Sequence, residues 1–307
     1  FHGFGWKGKN VLGWNVDSLE YARYCRYLVA RYGAEPAMWL VSGDGDGREI
    51  GVEQGGKEIE QWDAFNQPTG LHYSPFSHEV PDWWNRDYEY VPHENKMHQD
   101  AKWLDFQWCQ TGHGAEHQLF KVAEMYENKP TKAIANGEPT YEGIRDSSNA
   151  AGWWQGHEAW SQLLSGGTMG VVYGAGGLWN WKLTAEEKGW EAWANSNVSW
   201  REAIELPGAV YVGYVGKALD GLNITDIEKH PELADGNLCL AKPGELFIVY
   251  LPEGGKTTVD QTPSDGTYKW YNPKSGEFVS EGKIDTSQFE ANSPLKGPSV
   301  LIIENGD

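Results

Sequence analysis

Apolar residues recur along this chain in two rhythms, and the change from one to the other comes near residue 220. Before it, helical spacing alternates with short continuous apolar runs. Asp17 heads the first helical pattern, with Glu20 three residues on as a capping box; Leu19, Ala22, Cys25, Leu28, Val29 and Tyr32 follow, and Gly33 stops the run. A strand is expected over about 37–42, then a helix around 53–65 with Ile59, Trp62 and Phe65 on one face, then a short strand at Gly70–Tyr73. Residues 75–95 mix Pro, Trp and charge and read as a long functional or lid-like loop. Beyond it the pattern gives strands at Trp103–Gln110, Ala133–Gly137 and Gly170–Tyr173, and helices at Glu116–Tyr126, Ala150–Leu164 and Ala185–Arg201.

Strands alternating with helices imply βαβ units on a parallel sheet. Five strands fall before residue 203, whereas a closed (β/α)8 barrel has eight. The chain opens on a loop rich in Gly, Trp and Asn, without Met. The expected fold class is therefore α/β: over 1–219, a partial (β/α)8 TIM barrel that lacks its first strands, with an open sheet as the alternative. After residue 220 short strands take over, at Leu246–Leu251, Lys256–Asp260, Tyr268–Tyr271, Glu277–Glu281 and Ser299–Glu304, separated by Gly-Gly, Asn-Pro and Ser-Gly turns. This is the pattern of a small antiparallel β-sandwich over 220–307.

Composition adds two constraints. Net charge is 25 minus 44, or −19, which argues against a nucleic-acid partner and favours neutral or cationic ligands. No apolar run reaches transmembrane length. Seventeen Trp and fifteen Tyr exceed what core packing needs, and many Trp sit beside Gly, Asn or His, as in a cleft lined with rings. The three cysteines, Cys25, Cys109 and Cys239, are widely spaced and odd in number; buried free thiols are expected, with no metal site and no cofactor.

Candidate chemistry gathers at strand ends, the places a barrel turns toward its active site. The run Ala133–Gly137 ends in Glu138-Pro139, and Ala37–Gly43 ends in Asp44. Taken singly, Glu138 could cap or pair at the surface, and Asp44 could serve a Gly-Asp-Gly turn. Together, two carboxyls on two strand ends suit glycoside hydrolysis, where one is protonated to feed the leaving oxygen and the other ionised. We expect Asp44 as general acid/base and Glu138 as nucleophile of a retaining enzyme. His72, Gln110, His113, Tyr141, Tyr173 and Trp179 end or follow the other strand patterns and are the candidate substrate-binding residues. Their types bond hydroxyls and stack on sugar rings, although each could equally be a core-edge polar group.

The segments Tyr32-Gly33-Ala34, Trp39–Asp44, Gln110-Thr111-Gly112-His113, Gly137-Glu138-Pro139 with Tyr141-Glu142, and Tyr173-Gly174-Ala175 through Trp179 resemble the apiosidase-like glycoside hydrolases. Those proteins have a TIM barrel followed by a small β-sandwich termed collagen-binding. Tyr250-Leu251-Pro252 and Trp270-Tyr271-Asn272-Pro273 with Gly276 resemble that sandwich. By this resemblance Asp44 matches the acid ending the family's Trp-x-x-Gly-Gly-Asp strand, with Ser42 for the first Gly, and Glu138 matches the acid of Gly-Glu-Pro. The family's opening strands and Gly-Asp-Thr-Ala-Trp segment have no counterpart here. The resemblance implies a secreted or periplasmic enzyme that cleaves a plant or algal polysaccharide or oligosaccharide. A carbohydrate- or matrix-binding protein without catalysis, and an adhesion module acting through the sandwich, are the other classes.

Overall fold

The computed structural model describes residues 17–43, 45, 47–49, 51–75, 95–113, 119–144, 152–187 and 196–306. They fall into two compact units, one within 1–111 and 121–137, the other within 112–120 and 138–307.

In the first unit α1 (Ser18–Tyr32) precedes β1 (Trp39–Leu40), α2 (Val52–Trp62), β2 (Thr69–His72), β3 (Phe106–Gln110), α3 (Phe120–Glu127) and β4 (Ala133–Glu138). The strands neighbour one another in chain order, and β1–β2 and β2–β3 pair in parallel. Their core unites Tyr21, Cys25 and Val29 of α1 with Val52 and Ile59 of α2, Leu71, Cys109 and Ile134 of the strands, and Val122 and Met125 of α3. The expected βα alternation is therefore present.

Details differ from the expectation, for local reasons. Asp17 caps α1 through Leu19 N–H at 2.8 Å, but the Glu20 carboxylate pairs with Arg23 instead of closing a capping box. Tyr21 faces the core and Leu19 does not, because the Tyr21 hydroxyl reaches the Val41 carbonyl. On α2 the buried face is Val52, Gly55, Gly56 and Ile59, and Trp62 and Phe65 are exposed. A hydrophobicity pattern passes over this face because two of its four members are glycines. A Cβ on Gly56 would lie 2.3 Å from the Trp103 ring, and one on Gly55 would lie 2.9 Å from Tyr21, so helix and core touch through backbone. Asp63 then ends α2: its carboxylate accepts from the Phe65 and Gln67 amides and from the Trp39 indole.

The second unit holds α4 (Trp153–Leu164), β5 (Gly170–Val171), α5 (Gly176–Trp179), α6 (Trp200–Ala203), α7 (Gly208–Leu219), β6 (Glu228–Lys229), β7 (Leu238–Lys242), β8 (Leu246–Leu251), β9 (Lys256–Asp260), β10 (Gly266–Asn272), β11 (Glu277–Ile284), β12 (Gln288–Asn292) and β13 (Ser299–Asn305). Of the helix expected over 185–201, only Trp200 and Arg201 are helical among the described residues, at the start of α6. A capping box between Ser199 and Glu202 starts α6 at that point, which a continuous helix through Ser199 would not permit. Helix α7 was not expected, since Gly208, Gly213 and Gly216 dilute its apolar stripe.

The antiparallel strands expected late in the chain are present, and β6, β7 and β12 join them. A six-stranded sheet runs β11-β10-β13-β8-β7-β6, and β12 pairs with β9 in a second sheet. Period-two alternation sorts the large sheet's side chains. Ile248, Tyr250, Tyr271, Val300 and Ile302 pack with Trp160 and Leu164 of α4 and Val215 of α7. Phe247, Val249, Trp270, Leu301 and Ile303 form another cluster with Val259 of β9 and Ala291 of β12. Strand β8 is buried on both faces, which is why it reads as an unbroken apolar run. Cys25, Cys109 and Cys239 are buried free thiols, and burial pushes Cys25 and Cys239 up to about 12.

Lys121 on α3 is fully buried, its ammonium 3.4 Å from the Ser74 carbonyl. Burial lowers its pKa from 10.5 to about 8. The unfolded chain therefore holds this proton up to about 10.5 and the folded one only up to about 8, so stability should rise with pH across that window. The shift corresponds to roughly 3 kcal/mol. Lys121→Met should remove this rise and be more stable than wild type below pH 8. Urea unfolding at neutral and alkaline pH reads both effects; parallel pH profiles for the two proteins would refute the charge burial.

Candidate active site

Strand β4 delivers the acid that its sequence singles out. The run ends at Glu138, and Pro139, with no amide hydrogen, ends the ladder. The turn that follows is held from several sides. The Thr140 amide donates to both Glu158 oxygens, at 3.1 and 3.3 Å, and the Thr140 carbonyl accepts from Gln155 Nε2 at 3.2 Å. Gln155 and Glu158 are three residues apart on α4, so they share a face. The Thr140 hydroxyl donates to the Gly112 carbonyl at 3.2 Å. A carboxylate carried by a turn so fastened is placed before any substrate arrives.

The Gly112 contact brings the residue beside it into the site. His113 Nε2 lies 3.1 Å from Glu138 Oε1, with side chains 8% and 16% exposed. On its other edge His113 Nδ1 faces the Tyr141 amide at 3.4 Å. An imidazole that accepts at Nδ1 carries its proton on Nε2, so His113 donates to Glu138. The His113 and Tyr141 rings are 4.1 Å apart between centroids, and Tyr141 and Trp179 are 6.1 Å apart. A Cβ on Gly174 would stand 2.2 Å from the Tyr141 ring, so glycine there makes room for it. Trp179 is 40% exposed and leaves a ring open to solvent. Four of the expected residues, His113, Glu138, Tyr141 and Trp179, thus form one chain of contacts.

Tyr173 connects elsewhere. Its hydroxyl donates to Glu142 Oε2 at 2.7 Å, and burial, followed by this carboxylate, holds its pKa well above the ordinary tyrosine value. Glu142, 1% exposed, also accepts from the Gly152 amide at 2.7 Å and the Gly208 amide at 2.9 Å. These amides lie just before α4 and at the first residue of α7, where helix N–H groups lack internal partners. Gly208 is glycine for space: a Cβ would come 2.2 Å from Glu142 Oε2. Sequence reasoning passed over Glu142, whose one signal was its place in the same turn as Glu138.

His72 and Gln110 belong to the first unit, where they end β2 and β3, both buried. Gln110 Oε1 accepts no hydrogen bond among the described residues. Asp44 lies outside the described residues. Among the described residues no group of three or more His, Cys, Asp or Glu side chains could hold a metal ion, and no described helix is long and apolar enough to cross a membrane.

Comparison with known proteins bears on what this arrangement is. The family model described as "Apiosidase-like, catalytic domain" matches residues 3–226. A solved structure described as a glycoside hydrolase aligns with TM-score 0.72 and 17% identity, covering 95% of this chain and 70% of that one. A glycoside hydrolase family 5 structure from Bacteroides vulgatus ATCC 8482 aligns with TM-score 0.70 and 19% identity, covering 94% and 67%. At these identities the two structures speak for the shared fold. No curated protein matches the chain. With a family match spanning most of its length, the chain belongs to the apiosidase-like family and is a glycoside hydrolase, an enzyme acting on carbohydrate.

Proposed function

We propose that this enzyme cleaves a glycosidic bond in a plant or algal polysaccharide or oligosaccharide by a retaining, two-carboxylate mechanism. Glu138 is the nucleophile and Asp44 the general acid/base. The observation that carries the reading is the His113–Glu138 contact, 3.1 Å long, at the end of β4. A donor aimed at a carboxylate favours its ionised form, the form a nucleophile needs. Glu138 attacks the anomeric carbon while the bond to the leaving oxygen breaks and Asp44 gives that oxygen its proton. Water then attacks the glycosyl-enzyme, Asp44 takes the water's proton, and Glu138 leaves as carboxylate. Retention requires the two carboxyls about 5–5.5 Å apart, whereas inversion needs about 6.5–9.5 Å. His72, Gln110, Tyr141, Tyr173 and Trp179 bind the sugar, the polar ones through its hydroxyls.

The match ending at residue 226 supports reading 1–219 as the catalytic part, of the TIM-barrel type, and 220–307 as an appended β-sandwich. A polymeric substrate supports a secreted or periplasmic location.

The test is a screen of neutral plant and algal oligosaccharides, with the anomer of the first product read by NMR. Retained configuration is expected; inversion would remove Glu138 from the nucleophile's role. On a cleaved substrate Trp179→Ala should raise KM about tenfold with a smaller effect on kcat, since it removes a stacking face used in binding. An unchanged KM would count against Trp179.

A further inference from the structure

Two residues past Trp179 the chain does something a tryptophan rarely does. Trp181 is 78% exposed and its φ is +54°, a left-handed backbone that is an outlier for so bulky a residue. Strain of this kind persists only where the surroundings over-determine it. Here they do. Asn180 and Lys182, on either side, are each 3% exposed. The Asn180 amide donates to Gly176 O and the Trp181 amide to Leu178 O, both at 3.2 Å. The Lys182 amide donates to Gly177 O at 3.2 Å, and the Lys182 carbonyl accepts from the Trp200 amide at 2.8 Å. The Lys182 ammonium is turned inward onto the carbonyls of Ala185, at 2.9 Å, and Ser196. A long cationic side chain is thus buried to clamp a turn whose tip is an indole in water. A loop without a task for that indole would place Asn or Gly at the left-handed position.

We propose that Trp181 is a second carbohydrate-stacking platform, which takes a neutral sugar ring of the substrate next to the one held at Trp179. The proposal rests on the glycosidase reading for its choice of ligand. Continuity argues for it. The path Glu138–His113–Tyr141–Trp179 runs outward from the carboxylate, and the Trp181 Cα is within about 7.6 Å of the Trp179 Cα, since consecutive Cα atoms are 3.8 Å apart. A flat ring held rigidly loses little freedom on binding, which is what a stacking site needs. The net charge of −19 favours uncharged sugars over polyuronates. An enzyme with this second platform should prefer oligosaccharides to single-sugar glycosides.

The experiment is native affinity electrophoresis of the full chain in gels containing a soluble plant arabinogalactan or a neutral algal β-glucan, with reducing-end release measured on the same glycans. Wild type should be retarded by at least one of them. Trp181→Ala and Trp181→Asn should weaken that retardation about tenfold, as expected for one aromatic contact. Trp62→Ala, which removes an exposed indole of α2, should not. Asn suits the left-handed backbone, so Trp181→Asn should melt at or above the wild-type temperature while it loses glycan affinity. A structural tryptophan would do the reverse: a lower melting temperature with affinity intact would overturn the proposal, as would a wild type that neither glycan retards. Trp181-dependent retardation without release of reducing ends would leave the platform standing and defeat the catalytic reading. Release with equal retardation of wild type and both variants would do the opposite.

Discussion

Glu138→Gln should reduce turnover of a cleaved glycoside by on the order of 10⁴-fold or more, the scale at which loss of a covalent nucleophile is felt. Gln keeps the shape and still accepts from His113, whose Nε2 lies 3.1 Å from Glu138 Oε1, so folding and substrate affinity should change little. It cannot form the glycosyl ester. The sharper measurement adds azide or formate to Glu138→Ala, where the cavity admits a small external nucleophile. Rescue should give a product of inverted configuration, because the anion attacks once and no second displacement follows. A Glu138→Gln enzyme that retains a tenth of the wild-type kcat would exclude Glu138 as nucleophile.

The second large effect is on stability. Glu142→Ala would leave the Gly152 amide, the Gly208 amide and the Tyr173 hydroxyl without their shared acceptor. A buried donor left unsatisfied costs about 1–3 kcal/mol, so a loss of about 3–5 kcal/mol is expected, a large part of the stability of most domains. Glu142→Gln is the diagnostic variant. It preserves volume, but its amide nitrogen can only donate, and the groups around it are all donors. It should therefore be destabilised too, and chemical unfolding midpoints read both variants. A Gln variant as stable as wild type would show that the carboxylate is not what holds the starts of α4 and α7.

Much of this was legible along the chain, because local causes leave local marks. Asp17 and Gly33 bracket α1 through capping chemistry, which needs only neighbours in sequence. β8 reads as a strand because both of its faces are buried, and β4 is marked off by Pro139. Glu138 and His113 could be named as strand-end groups from the same punctuation. Missed features are those where the deciding partner is far away in sequence. The glycines of α2 carry a buried face because Trp103 and Tyr21 fill the space, and no count of apolar residues registers an absent side chain. Glycines in α7 disguise its buried Val215 and Ala218 in the same way. That Tyr173 gives its hydroxyl to Glu142, 31 residues back in the chain, is a contact no local pattern announces. In the sequence Glu142 stands only as part of the Tyr141-Glu142 pair that follows Glu138, with no role of its own marked. Its role depends on amides 10 and 66 residues away, which chain folding alone brings within hydrogen-bonding distance. Residue type and order thus determine which groups can donate, accept, stack or cap. Which of them meet is decided by packing, since hydrogen bonds and ring contacts act over a few ångströms and sequence separation says little about distance once the chain is compact.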